Sequence, residues 1–117
     1  MQYEGGCHCG AITFSLEAGD PITEVLSCNC SICTKRGSLL AFFPRGALTL
    51  KTPQSDVATY KFNKHVIAHH FCTVCGCAPF ADGKAPDGAE IAAVNVRCLE
   101  GVDIDALKQK RFDGRSK

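Results

Sequence analysis

The sequence predicts a mostly-β domain whose cysteines cluster where strands enter turns. Apolar residues alternate with polar ones at period two in several short runs, and Gly, Pro and Asp separate those runs. A helical signal is confined to one short stretch near the C-terminus.

Ile12, Phe14 and Leu16 alternate with Thr13 and Ser15, the pattern of a half-buried strand just after Cys7 and Cys9. Gly19-Asp20-Pro21 then turns the chain, and Ile22 to Ser27 reads as a strand running into Cys28. Leu39 to Phe43 is an apolar strand ended by Pro44, with a turn at Arg45-Gly46 before Ala47 to Leu50. Thr59 to Phe62 and Val66 to Phe71 read as a hairpin around Asn63-Lys64 that delivers the chain to Cys72. A Gly/Pro/Asp-rich loop is expected over Ala81 to Ala89, then a strand from Ile91 to Leu99 that includes Cys98. Ile104 to Gln109 hints at a helical turn started by Asp103 or Asp105, and Arg111 to Lys117 reads as a basic, solvated tail.

No repeat or linker divides the 117 residues, so one domain over 1–117 is expected. The chain is 45% hydrophobic and 21% charged, with a net charge of +1. That balance argues against a disordered chain and against a protein built to grip nucleic acid or anionic membrane. No apolar run approaches the roughly 18 residues of a membrane span, and no secretory signal is visible, so a cytoplasmic protein is expected. Nine cysteines are the anomaly. Their odd number and short spacings favour metal ligands or catalytic thiols over a disulfide scaffold.

Three clusters stand out: Cys7-His8-Cys9-Gly10, Cys28-Asn29-Cys30-Ser31-Ile32-Cys33, and Cys72-Thr73-Val74-Cys75-Gly76-Cys77. A structural zinc takes four ligands, commonly two short-spaced cysteine pairs from distant parts of the chain. Cys72 and Cys75, followed by glycine, are the strongest pair, with Cys7 and Cys9 as the obvious partner, although nine thiols admit other partitions. The middle cluster offers three thiolates, and three protein ligands plus an open position describe a catalytic zinc. Cys77, His69, His70 or His8 are the residues that could instead close that tetrahedron.

The run Gly5-Gly6-Cys7-His8-Cys9-Gly10-Ala11-Ile12-Thr13-Phe14 resembles the opening of the glutathione-dependent formaldehyde-activating enzyme family, also called the centromere protein V family. The similarity continues through Cys28-Asn29-Cys30-Ser31-Ile32-Cys33-Thr34-Lys35, Gly37-Ser38, Tyr60-Lys61-Phe62 and Phe71-Cys72-Thr73-Val74-Cys75-Gly76, and ends at Phe112-Asp113-Gly114-Arg115. The resemblance implies a mostly antiparallel, zinc-binding β fold of the Mss4-like type. It implies a structural zinc on Cys7, Cys9, Cys72 and Cys75 and a catalytic zinc on Cys28, Cys30 and Cys33, two zinc ions per chain. The implied activity is that of a carbon–sulfur lyase forming or breaking S-hydroxymethylglutathione, with glutathione (or a related thiol) and formaldehyde as the small-molecule partners. The rival reading is a non-enzymatic zinc module with a closed second site, mediating protein or nucleic-acid interaction. Cys77 departs from the family pattern, where a small hydroxyl residue is commoner.

Lys35 and Arg36 follow Cys33 and are candidates to offset thiolate charge or steer the carboxylates of glutathione. His8 is expected to face solvent, and His69 and His70 to face opposite sides of a strand. Asn95 and Arg97 would share one strand face, and Cys98 would be a core residue.

Overall fold

The structure, a computed structural model, describes residues 1–52, 54–61 and 67–113. The elements, in order, are β1 (Gln2–Gly6), β2 (Thr13–Glu17), β3 (Glu24–Cys28), the six-residue helix α1 (Ser31–Arg36), β4 (Leu40–Pro44), β5 (Leu48–Leu50), β6 (Val57–Tyr60), β7 (Ala68–Cys72), β8 (Phe80–Lys84), β9 (Glu90–Asn95) and β10 (Lys108–Phe112). Short 3-10 turns cover Arg45–Ala47, Gln54–Asp56, Val96–Cys98 and Ile104–Ala106. The small sheet has the order β1-β2-β5, and the large one β10-β3-β4-β9-β8-β7-β6. All pairings are antiparallel except that of β10 with β3, which is parallel.

The alternation in β2 does what period two requires: Ile12, Phe14 and Leu16 are fully buried. Phe14 and Leu16 join Val25, Phe80, Ala92 and Val94 from one face of the large sheet, with Tyr3, Leu39, Leu48, Val96 and Leu99 completing the core. The Phe14 and Phe80 rings are tilted at 59° with centroids 6.1 Å apart, a favourable edge-on arrangement. The Tyr3 hydroxyl accepts the Ile22 N–H at 2.9 Å, so its polar tip is satisfied where the ring is buried.

Register fixes the other face of the large sheet. Phe42 lies opposite Ala93, Ala93 opposite Ala81, and Ala81 opposite His69, a row crossing four strands on the side away from the core. One step further along, Leu26, Leu40 and Asn95 form the neighbouring row. Successive antiparallel pairings make β3, β9 and β7 run the same way, so Cys28, Asn95 and Cys72 all lie at one end of the sheet.

Several expectations are corrected. The Ala81–Ala89 loop begins as strand β8, and the turn shrinks to Ala85–Ala89, closed by Ala85 N–H donating to the Ala89 carbonyl at 2.8 Å. The strand predicted over 91–99 ends at Asn95, whose side chain accepts the Arg97 N–H and starts a 3-10 turn. Cys98 is therefore on that turn, half-buried, and Arg97 is exposed rather than sharing a strand face with Asn95. The helical signal near the C-terminus is one 3-10 turn started by Asp103, after which β10 takes up Arg111 and Phe112 of the predicted tail. Residues 114–117 of that tail, and Phe62 to Val66 of the predicted hairpin, lie outside the described residues; the flanking strands β6 and β7 do pair as expected.

Candidate functional site

The first cluster is assembled from two turns. Cys7 and Cys9 follow β1, and Cys72 and Cys75 straddle the end of β7. Gly10 and Gly76, each directly after a cysteine, hold φ of 86° and 82°, backbone that favours glycine. The four sulfurs lie within 4.8 Å of one another, with Cys7–Cys9 and Cys9–Cys72 both at 3.6 Å. A tetrahedron of thiolates about 2.3 Å from zinc has edges of roughly 3.8 Å, so this spacing fits. Backbone N–H groups point at the sulfurs: Ile12 to Cys7 at 3.2 Å, Val74 to Cys72 at 3.3 Å and Cys75 to Cys72 at 3.4 Å. The N–H groups of Cys77 and then Cys9 pull the Cys75 thiol down to about 5. The Ala11 N–H favours the Cys9 thiolate, but desolvation and the sulfurs of Cys72, Cys7 and Cys75 push that thiol up to about 12. Four sulfurs this close share their charge unevenly without a cation, and a dication would let all four ionise.

The second cluster is local. Cys28 ends β3, Cys30 caps the start of α1 and Cys33 lies in its first turn, and the Gly37 N–H closes the helix onto the Cys33 carbonyl at 2.8 Å. The three sulfurs lie within 4.8 Å of one another. Burial and the neighbouring Cys30 push Cys33 up to about 12. Cys30, despite its burial, sits below its ordinary value because the backbone N–H of Cys33 and the thiols of Cys33 and Cys28 donate to it. This set also fits a soft dication, with one tetrahedral position left over. Among the described residues no histidine, carboxylate or further cysteine joins the three sulfurs.

Each residue weighed from the sequence now has a place. His8 is exposed between Cys7 and Cys9. Cys77 belongs to neither cluster; its carbonyl accepts the Cys72 N–H at 2.9 Å. His70 faces the core side, packed on Phe80 at 4.8 Å, with Nε2 hydrogen-bonded to the Asp82 carboxylate at 3.0 Å and Nδ1 to the Thr59 hydroxyl at 2.9 Å. His69 faces the other way, and burial, aided by Arg36 and His70, lowers its pKa and keeps its imidazole neutral at pH 7. Cys28, Cys30, Cys33, Arg36, His69 and Asn95 all line one cavity of about 690 Å³. Arg36 stands over the Phe71 ring at 5.7 Å. Lys35 is outside the cavity, in an adjacent hollow of about 420 Å³ that it shares with Arg36, Tyr60 and Phe71. Arg97 opens instead onto a third hollow beside β10.

Sequence reasoning missed Phe42, Ile67, Ala81 and Ala93, which line the same cavity. The signal was present in β9: Ile91 to Val94 is apolar at every position, which marks a strand covered on both faces.

A mostly-β chain with one four-thiolate cluster, and a three-thiolate cluster opening on a cavity, defines a β protein with two candidate metal centres. Residues 2–111 match the family described as glutathione-dependent formaldehyde-activating enzyme, and the chain belongs to that family. Its fold is similar to that of a Rhodobacter sphaeroides protein known from a crystal structure, at a TM-score of 0.78 and 27% identity, covering 94% of this chain and 100% of that one. No helix among the described residues is long and apolar enough to cross a membrane.

Proposed function

We propose that the chain is a zinc-dependent enzyme of the carbon–sulfur lyase type that joins glutathione, or a similar small thiol, to an aldehyde such as formaldehyde and reverses the joining. The observation that carries this reading is the gathering of the Cys28, Cys30 and Cys33 sulfurs on the wall of a cavity, with no histidine, carboxylate or further cysteine among the described residues joining them. Cys7, Cys9, Cys72 and Cys75 would hold a structural zinc, and Cys28, Cys30 and Cys33 a catalytic one. When bound there, zinc supplies a position for a substrate thiol and favours its thiolate form.

The chain's own residues do the rest. The cavity walls are largely apolar, so a substrate seated on them would displace water and strengthen the charge interactions around it. Arg36, on the last turn of α1, presents a cation to the carboxylates of the thiol substrate in the cavity, and Lys35 stands in the adjacent hollow that Arg36 also lines. In the reaction, the thiol loses its proton and its sulfur forms a bond to the carbonyl carbon. The carbonyl π pair moves to oxygen, which takes up a proton, so the net change is addition of S–H across C=O. Breakdown is the reverse. The neutral His69 imidazole, in the same cavity, is suited to pass that proton.

Metal analysis and variants test the reading together. The purified protein is expected to carry two zinc ions. Cys28→Ser is expected to keep one zinc and the fold but lose glutathione binding, whereas Cys72→Ser loses the fold. Equal unfolding of both variants, or glutathione binding that survives Cys28→Ser, contradicts the division of roles.

A further inference from the structure

We propose that the electrophile this cavity takes is an aldehyde carrying an apolar, ring-sized or branched substituent, and that Ala81 and Ala93 form the floor on which that group lies; this rests on the thiol–aldehyde reading above. The row Phe42, Ala93, Ala81, His69 places two methyl-sized side chains between two rings. A row built that way is a trough: its middle is low because alanine stops at Cβ, and its sides are high. The trough lies along β9. The cysteines stand at the Asn95 end, where Leu26 and Leu40 lie in register and Cys28 follows two residues on. β9 lines the cavity with Asn95 and Ala93, two residue steps or roughly 7 Å of strand, and Lys84 and Pro86 line it beyond them. A carbon bonded to a sulfur at the cysteine end therefore has most of the cavity still ahead of it.

The cavity holds about 690 Å³ and takes the thiol as well as the aldehyde, so its size alone does not select the electrophile. The Ala81–Ala93 floor is apolar, and formaldehyde carries no substituent to lay on it. Wall chemistry argues for an apolar group over a sugar-like one. Phe42, Ile67 and Phe112, which line the cavity, leave 52%, 48% and 41% of their surfaces exposed. The one amide in the wall is committed: Asn95 accepts from the Leu39 and Arg97 N–H groups at 3.4 and 3.2 Å and donates to the Ala78 carbonyl at 3.2 Å. Asp82 and His70, both polar, bind each other on the opposite face. An apolar substituent covers the exposed rings at no hydrogen-bond cost.

The test measures kcat/KM for adduct formation by the zinc-loaded protein with saturating glutathione and formaldehyde, butanal, hexanal or phenylacetaldehyde. Calorimetry with the unreactive carboxamides acetamide, hexanamide and phenylacetamide gives a binding readout independent of turnover. Affinity is expected to rise about four-fold per buried methylene, and phenylacetamide to bind at least ten-fold more tightly than acetamide. Ala93→Leu fills the trough and is expected to abolish this preference. Ala81→Leu provides the same readout if the first variant melts early. Equal or better kcat/KM with formaldehyde, together with equal amide affinities, overturns the proposal while leaving the thiol–aldehyde reading intact. Failure to form an adduct with any of the four aldehydes, with no glutathione bound, overturns both.

Discussion

Cys77 lies two residues from a knuckle thiol, yet its sulfur stands apart from both clusters, and its contribution there is backbone: its N–H donates to the Cys75 sulfur and its carbonyl holds the Cys72 N–H. A serine preserves both interactions. Cys77→Ser is therefore expected to leave the metal content and melting temperature at wild-type values, and loss of one zinc equivalent contradicts the assignment of seven ligand sulfurs. Cys98 is different again. Burial, with the charges of Cys77, Cys7 and Cys75 nearby, pushes its thiol up to about 11. At this scale the sequence was most legible for Cys28, Cys30 and Cys33, because their spacing within six residues decides their proximity. The partnership of Cys7 and Cys9 with Cys72 and Cys75 was a choice among partitions, since only the path of β2 and β7 brings those turns together.

The elements carry the knuckles into place. β1 ends on Gly5 and Gly6 because nothing larger fits: a Cβ on Gly6 would overlap the Ile12 carbonyl oxygen, the same oxygen that accepts the Cys7 N–H at 3.0 Å. Gly6→Ala should cost about 1–3 kcal/mol by overpacking, lowering Tm by roughly 5–15 °C, and should loosen the first cluster enough to weaken its metal. An unchanged Tm and metal affinity would show that the turn relaxes freely. In α1, Arg36 faces the cavity and Lys35 does not, so Arg36→Gln should weaken glutathione binding about five-fold while leaving 2-mercaptoethanol binding unchanged. Equal loss for both thiols contradicts carboxylate recognition. Strands β2, β3 and β4 were readable because their own side chains carry the pattern. β8 was not: Asp82-Gly83-Lys84 has the composition of a turn, and Asp82 is held in a strand by distant partners, His70 at 3.0 Å and Arg45 at 3.3 Å. β10 is polar apart from Phe112 and lies on the surface, so only its parallel pairing with β3 defines it. Helix α1, six residues with Ile and Thr among them, has too little intrinsic preference to announce itself.

Across the whole molecule the two clusters occupy the same end of the large sheet but do different mechanical work. The first ties the turn after β1 to the turn after β7, closing a loop of more than half the chain, so a metal there contributes directly to folding. The second closes only the β3–α1 junction and opens on the cavity. A chelator should therefore remove one zinc equivalent early with the far-ultraviolet circular dichroism intact, and the second only as the β signal collapses. Simultaneous loss of both contradicts this ordering. The central claim is that the three-cysteine site takes a substrate thiol as its thiolate. Calorimetric titration of the zinc-loaded protein with glutathione at pH 7, in two buffers of different ionisation enthalpy, tests it directly, because a thiol of pKa about 8.5 is almost wholly protonated there. The account predicts release of about one proton per glutathione bound; binding with no proton release, or no binding at all, contradicts it.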